Sequence, residues 1–135
     1  SGRILVVDDE ASVRRMSELF LRNIGFEVAT AENGREALNL FAATPGGFAL
    51  VLLDMLMPEM DGRTCFFELK KLNPQVKIIL SSGFSHLQDL QELQAAGLRT
   101  FLRKPFHLVE LSRAIARELQ GSGGTSEPEV SDKLV

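Results

Sequence analysis

Six side chains able to do chemistry stand directly after short runs of strand-forming character. Asp8 and Asp9 follow Ile4-Leu5-Val6-Val7, Asp54 follows Ala49-Leu50-Val51-Leu52-Leu53, and Ser81 and Ser82 follow Ile78-Ile79-Leu80. Lys104 comes directly after the mixed segment Arg99–Arg103. If each run is a parallel strand, these residues meet at one sheet edge, because open α/β sheets bind ligands at the carboxyl ends of their strands. Three carboxylates gathered there repel one another, which raises one or more pKa values unless a cation intervenes. A hard divalent ion such as Mg2+ relieves the repulsion, since it prefers oxygen ligands from one or two carboxylates, waters and a phosphate. A carboxylate in that setting can attack a phosphoryl group to give an acyl phosphate. The metal and a lysine would neutralise charge on the transferring oxygens, with positioning supplying most of the rest.

The elements that must carry these residues are legible as alternating patterns. Five apolar runs, Ile4–Val7, Phe26–Thr30, Phe48–Leu53, Val76–Leu80 and Arg99–Arg103, alternate with helical segments. Val13, Met16, Phe20 and Ile24 recur at helical spacing, as do Leu108, Leu111, Ile115 and Leu119. Asn33, Asp61 and Ser85 stand where N-caps would open the second, third and fourth helices. Gly25 and Gly97 stand where left-handed C-caps would close the first and fourth. The first, third and fourth strands are continuously apolar and should be covered on both faces. The second and fifth mix in polar residues, as edges do. Short right-handed crossovers then favour an α/β fold, (βα)5, with a doubly wound five-stranded parallel sheet in the order 2-1-3-4-5.

Composition sets outer bounds. A chain of 135 residues with 44% hydrophobic and 24% charged residues is expected to form one globular domain. No apolar run approaches the roughly 20 residues that cross a bilayer, and no signal-peptide pattern opens the chain. The single cysteine, Cys65, fits a reducing, cytoplasmic setting. A net charge of −3 argues against direct nucleic-acid binding. Residues 1–120 are expected to form the domain, and residues 121–135, opening on Gly121-Ser122-Gly123-Gly124, a flexible linker and disordered tail.

Three strings carry a resemblance. Ile4-Leu-Val-Val-Asp-Asp-Glu10, Leu52-Leu-Asp-Met-Leu-Met-Pro-Glu-Met-Asp-Gly62 and Lys104-Pro-Phe106 resemble the signatures of response-regulator receiver domains of two-component signalling systems, over about residues 3–120. The resemblance implies a flavodoxin-like fold; chemotaxis receivers share the 2-1-3-4-5 order. It implies that Asp54 is the nucleophile taking a phosphoryl group from a histidine kinase or histidine phosphotransfer domain. Asp9 would ligate Mg2+ directly, Asp8 through water, and Asp54 and the Leu56 backbone carbonyl would complete the protein's share. Lys104 would contact the phosphate, with a cis bond to Pro105. Ser82 would hydrogen-bond the phosphate and draw its loop inward, and Phe101 occupies the aromatic switch position. The fourth and fifth helices and the fifth strand would form the output surface, with room for a phosphorylation-dependent dimer and no membrane contact by this domain. Leu80-Ser-Ser-Gly-Phe-Ser85 and Leu102-Arg-Lys-Pro-Phe106 are similar to receivers fused to hybrid histidine kinases.

Plainer roles compete at several positions. Asp61 reads as a helix cap, Glu59 as solvated, and His86 and His107 as surface residues without ligand spacing. Cys65, Phe66 and Leu69 read as the core face of the third helix, and Leu87, Leu90 and Leu93 as partly covering the sheet. Phe101 could be plain packing. A haloacid-dehalogenase-type phosphatase would want a second Asp two residues after the nucleophile, where this chain has Leu56. A flavodoxin relative would want a Ser/Thr/Gly-rich phosphate loop after the first strand, which is missing. A constitutive protein-binding module of the same fold should lack an acid or the lysine, and none is lacking. Leu56 and Phe84, both apolar, flank the expected phosphate where polar side chains could orient water, so self-dephosphorylation is expected to be slow.

Overall fold

A computed structural model describes residues 2–44, 46–83 and 87–120. The elements run β1 (Arg3–Val7), α1 (Ala11–Asn23), β2 (Glu27–Ala31), α2 (Gly34–Ala43), β3 (Leu50–Asp54), α3 (Gly62–Leu72), β4 (Ile78–Ser82), α4 (Leu87–Ala95), β5 (Thr100–Arg103) and α5 (Leu108–Gln120). All strand pairs are parallel, in the order β2-β1-β3-β4-β5, so the two mixed-polarity strands are the edges. Phe84, Ser85, His86, the Leu87 side chain and the expected tail 121–135 lie outside the described residues. Among the described residues, no helix is long and apolar enough to cross a membrane.

Alternation along each strand divides the core into two layers. Leu5, Val7, Val51, Leu53, Ile78, Leu80 and Phe101 pack with Ala37 and Phe41 of α2, Cys65, Phe66 and Leu69 of α3, and Leu90 and Leu93 of α4. Ile4, Val6, Val28, Leu50, Leu52, Ile79 and Leu102 pack on the other face with Leu21 of α1 and Leu111, Ala114 and Ile115 of α5. Where the structure describes them, the caps fall at the expected sites. Asn33 accepts from Glu36 N–H at 2.8 Å and Asp61 from Thr64 N–H at 2.9 Å. Gly25 and Gly97 take φ values of 107° and 114°. In both, the residue after the glycine donates back five positions, Phe26 to Leu21 and Leu98 to Leu93, closing a Schellman motif.

Two expectations need correction. The third and fourth strands begin at Leu50 and Ile78, two residues after the apolar runs do, and they extend through Asp54 and Ser82. Phe48 and Val76 are buried from the preceding connections, so their hydrophobicity reports core contact and not strand pairing. On α1 the buried face is also turned from the expected stripe: Ser17 and Leu21 are fully buried, whereas Met16 and Ile24 are 40% and 44% exposed. A serine in the middle of the inward face hid it from an apolar count.

The Ser17 hydroxyl is buried and has no hydrogen-bond partner among the described residues. An unsatisfied buried hydroxyl carries a desolvation cost of about 1–3 kcal/mol. Ser17→Ala should therefore stabilise the fold by roughly 1 kcal/mol in urea denaturation; a loss of stability would show that the hydroxyl has a partner, such as a bound water.

Candidate functional site

The two-residue period of the strands decides which polar side chains meet. Ile4 and Val6 of β1, Leu50 and Leu52 of β3 and Leu102 of β5 all face α1 and α5. Continuing each alternation brings Asp8, Asp54 and Lys104 onto that same face at the carboxyl edge. The backbone fixes their heights: Asp8 N–H donates to Ala31 O at 3.2 Å, Met55 N–H to Ser81 O at 2.8 Å, and Lys104 N–H to Ser82 O at 2.9 Å.

The Lys104 ammonium lies 2.9 Å from Asp8 Oδ2, 3.2 Å from Asp54 Oδ1 and 3.1 Å from Glu10 Oε1. Asp8 and Asp54 are each only 4% exposed, while Asp9 is open to solvent. Asp8 is held on every side: its Oδ1 accepts from Glu10 N–H at 2.9 Å, and its carbonyl accepts from Arg14 Nη1 at 2.7 Å. Burial, with the charge of Asp8 second, pushes the Asp54 carboxyl up to about 7 against the opposing pull of Lys104. Burial works against the charged form of Lys104, but the Asp8 hydrogen bond and the charges of Asp54 and Asp8 outweigh it and raise its pKa. Lys104 is therefore a fixed cation, and Asp54 is the acid whose ionisation depends on what else is bound.

One carboxylate oxygen from each of Asp8, Asp9 and Asp54 lies within 4.8 Å of the others. Ligand oxygens on an octahedron of about 2.1 Å radius stand about 3–4.2 Å apart, so small adjustments would let these acids share one hard cation. An oxygen-only donor set of high negative charge fits Mg2+ and not a softer metal.

The segment after Asp54 is locked sterically. A Cβ on Gly62 would clash with the Asp54 carbonyl oxygen, and Gly62 N–H donates to Met55 O at 2.8 Å. The start of α3 is thus pressed against the end of β3, which only glycine permits. Within the intervening turn Glu59 adopts φ 69° and is exposed. Leu56, one residue beyond Met55, is 45% exposed.

The remaining expected residues are placed as follows. Ser81 and Ser82 are both buried; Ser81 pairs in register with Asp54, and Ser82 with Arg103. The Lys104–Pro105 peptide is cis. Phe101 is 2% exposed and sits in the layer under α3 and α4, away from the acids. His107 is exposed, and its backbone N–H donates to Glu110 at the start of α5. Burial drives the Cys65 thiol up to about 12, consistent with a core residue. Beside Lys104 a cleft of about 390 Å3 is lined by Glu10, Val13, Met16, Gly83, Pro105 and Phe106. Glu10 and Arg14 were not singled out from sequence. The Asp-Asp-Glu triplet was a signal for the first; nothing local marks the second, whose role depends on the strand-to-helix turn.

An acid whose folded pKa exceeds its unfolded value near 3.8 adds stability below that value and loses it as pH rises through about 7. Without divalent metal, Asp54→Asn should raise the melting temperature at pH 8 and change it little at pH 4. Thermal melts at both pH values check this, and equal shifts at the two would refute it.

Comparison with known proteins agrees with this geometry. The family model for the response regulator receiver domain matches residues 4–116. The chain is 39% identical over 119 residues to the regulatory protein AtoC of Escherichia coli (strain K12), covering 88% of this chain and 25% of that protein. It is 36% identical over 120 residues to the sensor kinase CckA of Brucella abortus (strain 2308), covering 89% of this chain and 13% of that one. It is 38% identical over 118 residues to the chemotaxis protein CheY of Bacillus subtilis (strain 168), covering 87% of this chain and 97% of CheY. The chain thus spans only a small part of AtoC and CckA but nearly all of CheY. Among solved structures, a response regulator receiver domain from Clostridium thermocellum superposes with a TM-score of 0.83 at 31% identity, covering 89% of this chain and 95% of that one. TrrA from Thermotoga maritima, in complex with Mg2+-BeF, does so with a TM-score of 0.76 at 35% identity, covering 88% and 100%. With this sheet order, this acidic edge and these relatives, the chain belongs to the response regulator receiver domain family.

Proposed function

We propose that this domain accepts a phosphoryl group on Asp54 from the phosphohistidine of a kinase or phosphotransfer domain, in a Mg2+-dependent reaction, and that the modification alters its contacts with a partner. One observation carries the reading: a single ammonium, Lys104, reaches two buried carboxylates at 2.9 and 3.2 Å beside a third, exposed acid. An oxygen of Asp54 attacks phosphorus, an O–P bond forms, and the P–N bond to the donor histidine breaks. Asp9, Asp54 and the Leu56 carbonyl would hold Mg2+, with Asp8 acting through water; both Asp8 oxygens already have partners. When bound, the ion supplies charge neutralisation on the phosphoryl oxygens, as the Mg2+-BeF complex of TrrA suggests. Lys104 would exchange part of its carboxylate contact for the phosphoryl oxygens, and the Ser82 hydroxyl would donate to them.

The switch would then be read on α4, β5 and α5, with Phe101 as its internal aromatic and Arg103 exposed on that side. A cytoplasmic setting and a parent chain resembling a hybrid kinase both suit this reading, and the similarity to one segment of CckA supports the second.

Incubation with a small phosphodonor and Mg2+ should add one phosphate to the intact mass. Asp54→Ala, or chelation of the metal, should abolish the gain. No gain in the native chain would instead favour a constitutive binding module of receiver fold.

The side chain of Leu56 is apolar and exposed at the rim, a poor orienter of attacking water. The acyl phosphate should therefore decay slowly, and Leu56→Asn combined with Phe84→Glu should accelerate decay at least about tenfold, below the roughly 10²–10⁴-fold of a fully positioned general base because these side chains only orient water. Loss of the phosphate mass with time measures this, and unchanged decay in the double variant would refute it.

A further inference from the structure

Among the described residues Lys104 has three carboxylate partners, and only two of them belong to the acidic cluster that fits a metal. The third, Glu10, offers Oε1 at 3.1 Å, a distance between those of Asp8 and Asp54. An ammonium has three protons to donate, so each carboxylate can take one. Glu10 is the N-cap residue of α1, yet its side chain makes no capping hydrogen bond. Its backbone N–H is instead bound to Asp8 Oδ1, so its main chain is anchored by the acid with which its side chain competes for Lys104. The Glu10 side chain is 58% exposed and borders the cleft beside Lys104, whereas Asp8 and Asp54 lie beneath it. The three pulls on the ammonium therefore differ in direction: two inward, one outward.

We propose that Glu10 is a positioning residue that holds Lys104 toward the mouth of the site and limits how strongly the lysine neutralises Asp8 and Asp54. Without Glu10, the ammonium settles inward onto the two buried acids. A divalent cation must then displace more of the lysine's charge to bind, and the lysine stands farther from an incoming phosphoryl group. Glu10 thereby divides one cation between the acids and the ligand. The inference rests on reading Asp8, Asp9 and Asp54 as the metal-binding acids of a phosphoacceptor site.

Two measurements test it on the full chain. In the metal-free protein, the 15N resonance of Lys104 Nζ should move in Glu10→Gln and stay in place in Glu18→Gln, whose native carboxylate instead pairs with Arg22. In titrations with Mg2+ alone, Glu10→Gln should weaken binding about fivefold when Lys104 is present and less than about twofold in a Lys104→Met background, where only the lost surface charge acts. A merely structural role for Glu10 would not produce this dependence on Lys104. An unmoved Nζ resonance, or equal weakening in both backgrounds, overturns the proposal. Failure of the native chain to bind Mg2+ or to take up phosphate would remove the phosphoacceptor reading instead, leaving the resonance to decide the Glu10–Lys104 relation by itself.

Discussion

Two carboxylates that are each 4% exposed share one ammonium at the carboxyl edge of the sheet, with a third acid beside them. Left alone, such a group is over-charged: bringing acids together out of water raises the free energy of their ionised forms, and one lysine offsets only part of it. Asp54 shows the remainder as a pKa near 7. The site is therefore poised to gain from any ligand that brings positive charge, and then from a group that such charge can hold. That imbalance sets the electrostatics of the edge, and the rest of the fold serves to maintain it.

Maintaining it is a matter of register. Asp54 ends β3, and Asp8 and Lys104 stand one residue beyond β1 and β5, tied by backbone hydrogen bonds to Ala31 and Ser82, so their separation depends on the backbone ladder and its immediate continuation. A slip of one residue in any strand would turn its acid or its lysine to the opposite face. Two dry layers oppose such slippage, because each strand presents large apolar residues to both. The most buried residues, among them Ile4, Leu5, Leu50, Leu53, Ile79 and Leu80, lie directly behind the polar edge. Core packing and site geometry are in this sense one constraint.

Much of this was readable from the chain because it is written in short-range patterns. Apolar runs ending in Asp, Ser or Lys mark strand ends, and Asn33, Asp61, Gly25 and Gly97 mark helix ends by the conformations their side chains allow. What escaped depends on three-dimensional contact. Phe48 and Val76 have strand-like hydrophobicity, but their burial comes from connections that tuck under the sheet. Ser17 looks like a surface residue until α1 is docked. Glu10 and Arg14 acquire their partners only when the turn after β1 places them over Asp8 and Lys104. The sequence pattern reports which residues repel water, whereas these roles depend on where the chain bends.

A difference between rigid and exchangeable contacts separates the helices that flank the site. Gly62 abuts the backbone of Asp54 too closely for any Cβ, so α3 follows the end of β3 almost as one body. From the next residue, Arg63, a guanidinium reaches across to α4, with Nε 2.8 Å from Glu92 Oε1 and its plane over Phe67 at 5.5 Å. That ion pair lies on the surface, where such contacts contribute about 0.2–1 kcal/mol and can be remade with other partners. Beneath it, Leu90 and Leu93 hold α4 to the sheet through apolar contact, which is non-directional. A change at Asp54 therefore meets a stiff neighbour in α3 and a more readily displaced one in α4. The exchangeable contact at this end of the fold is thus the surface ion pair between α3 and α4, whereas Leu90, Leu93 and Phe101 keep α4 and β5 joined to the core layer they share.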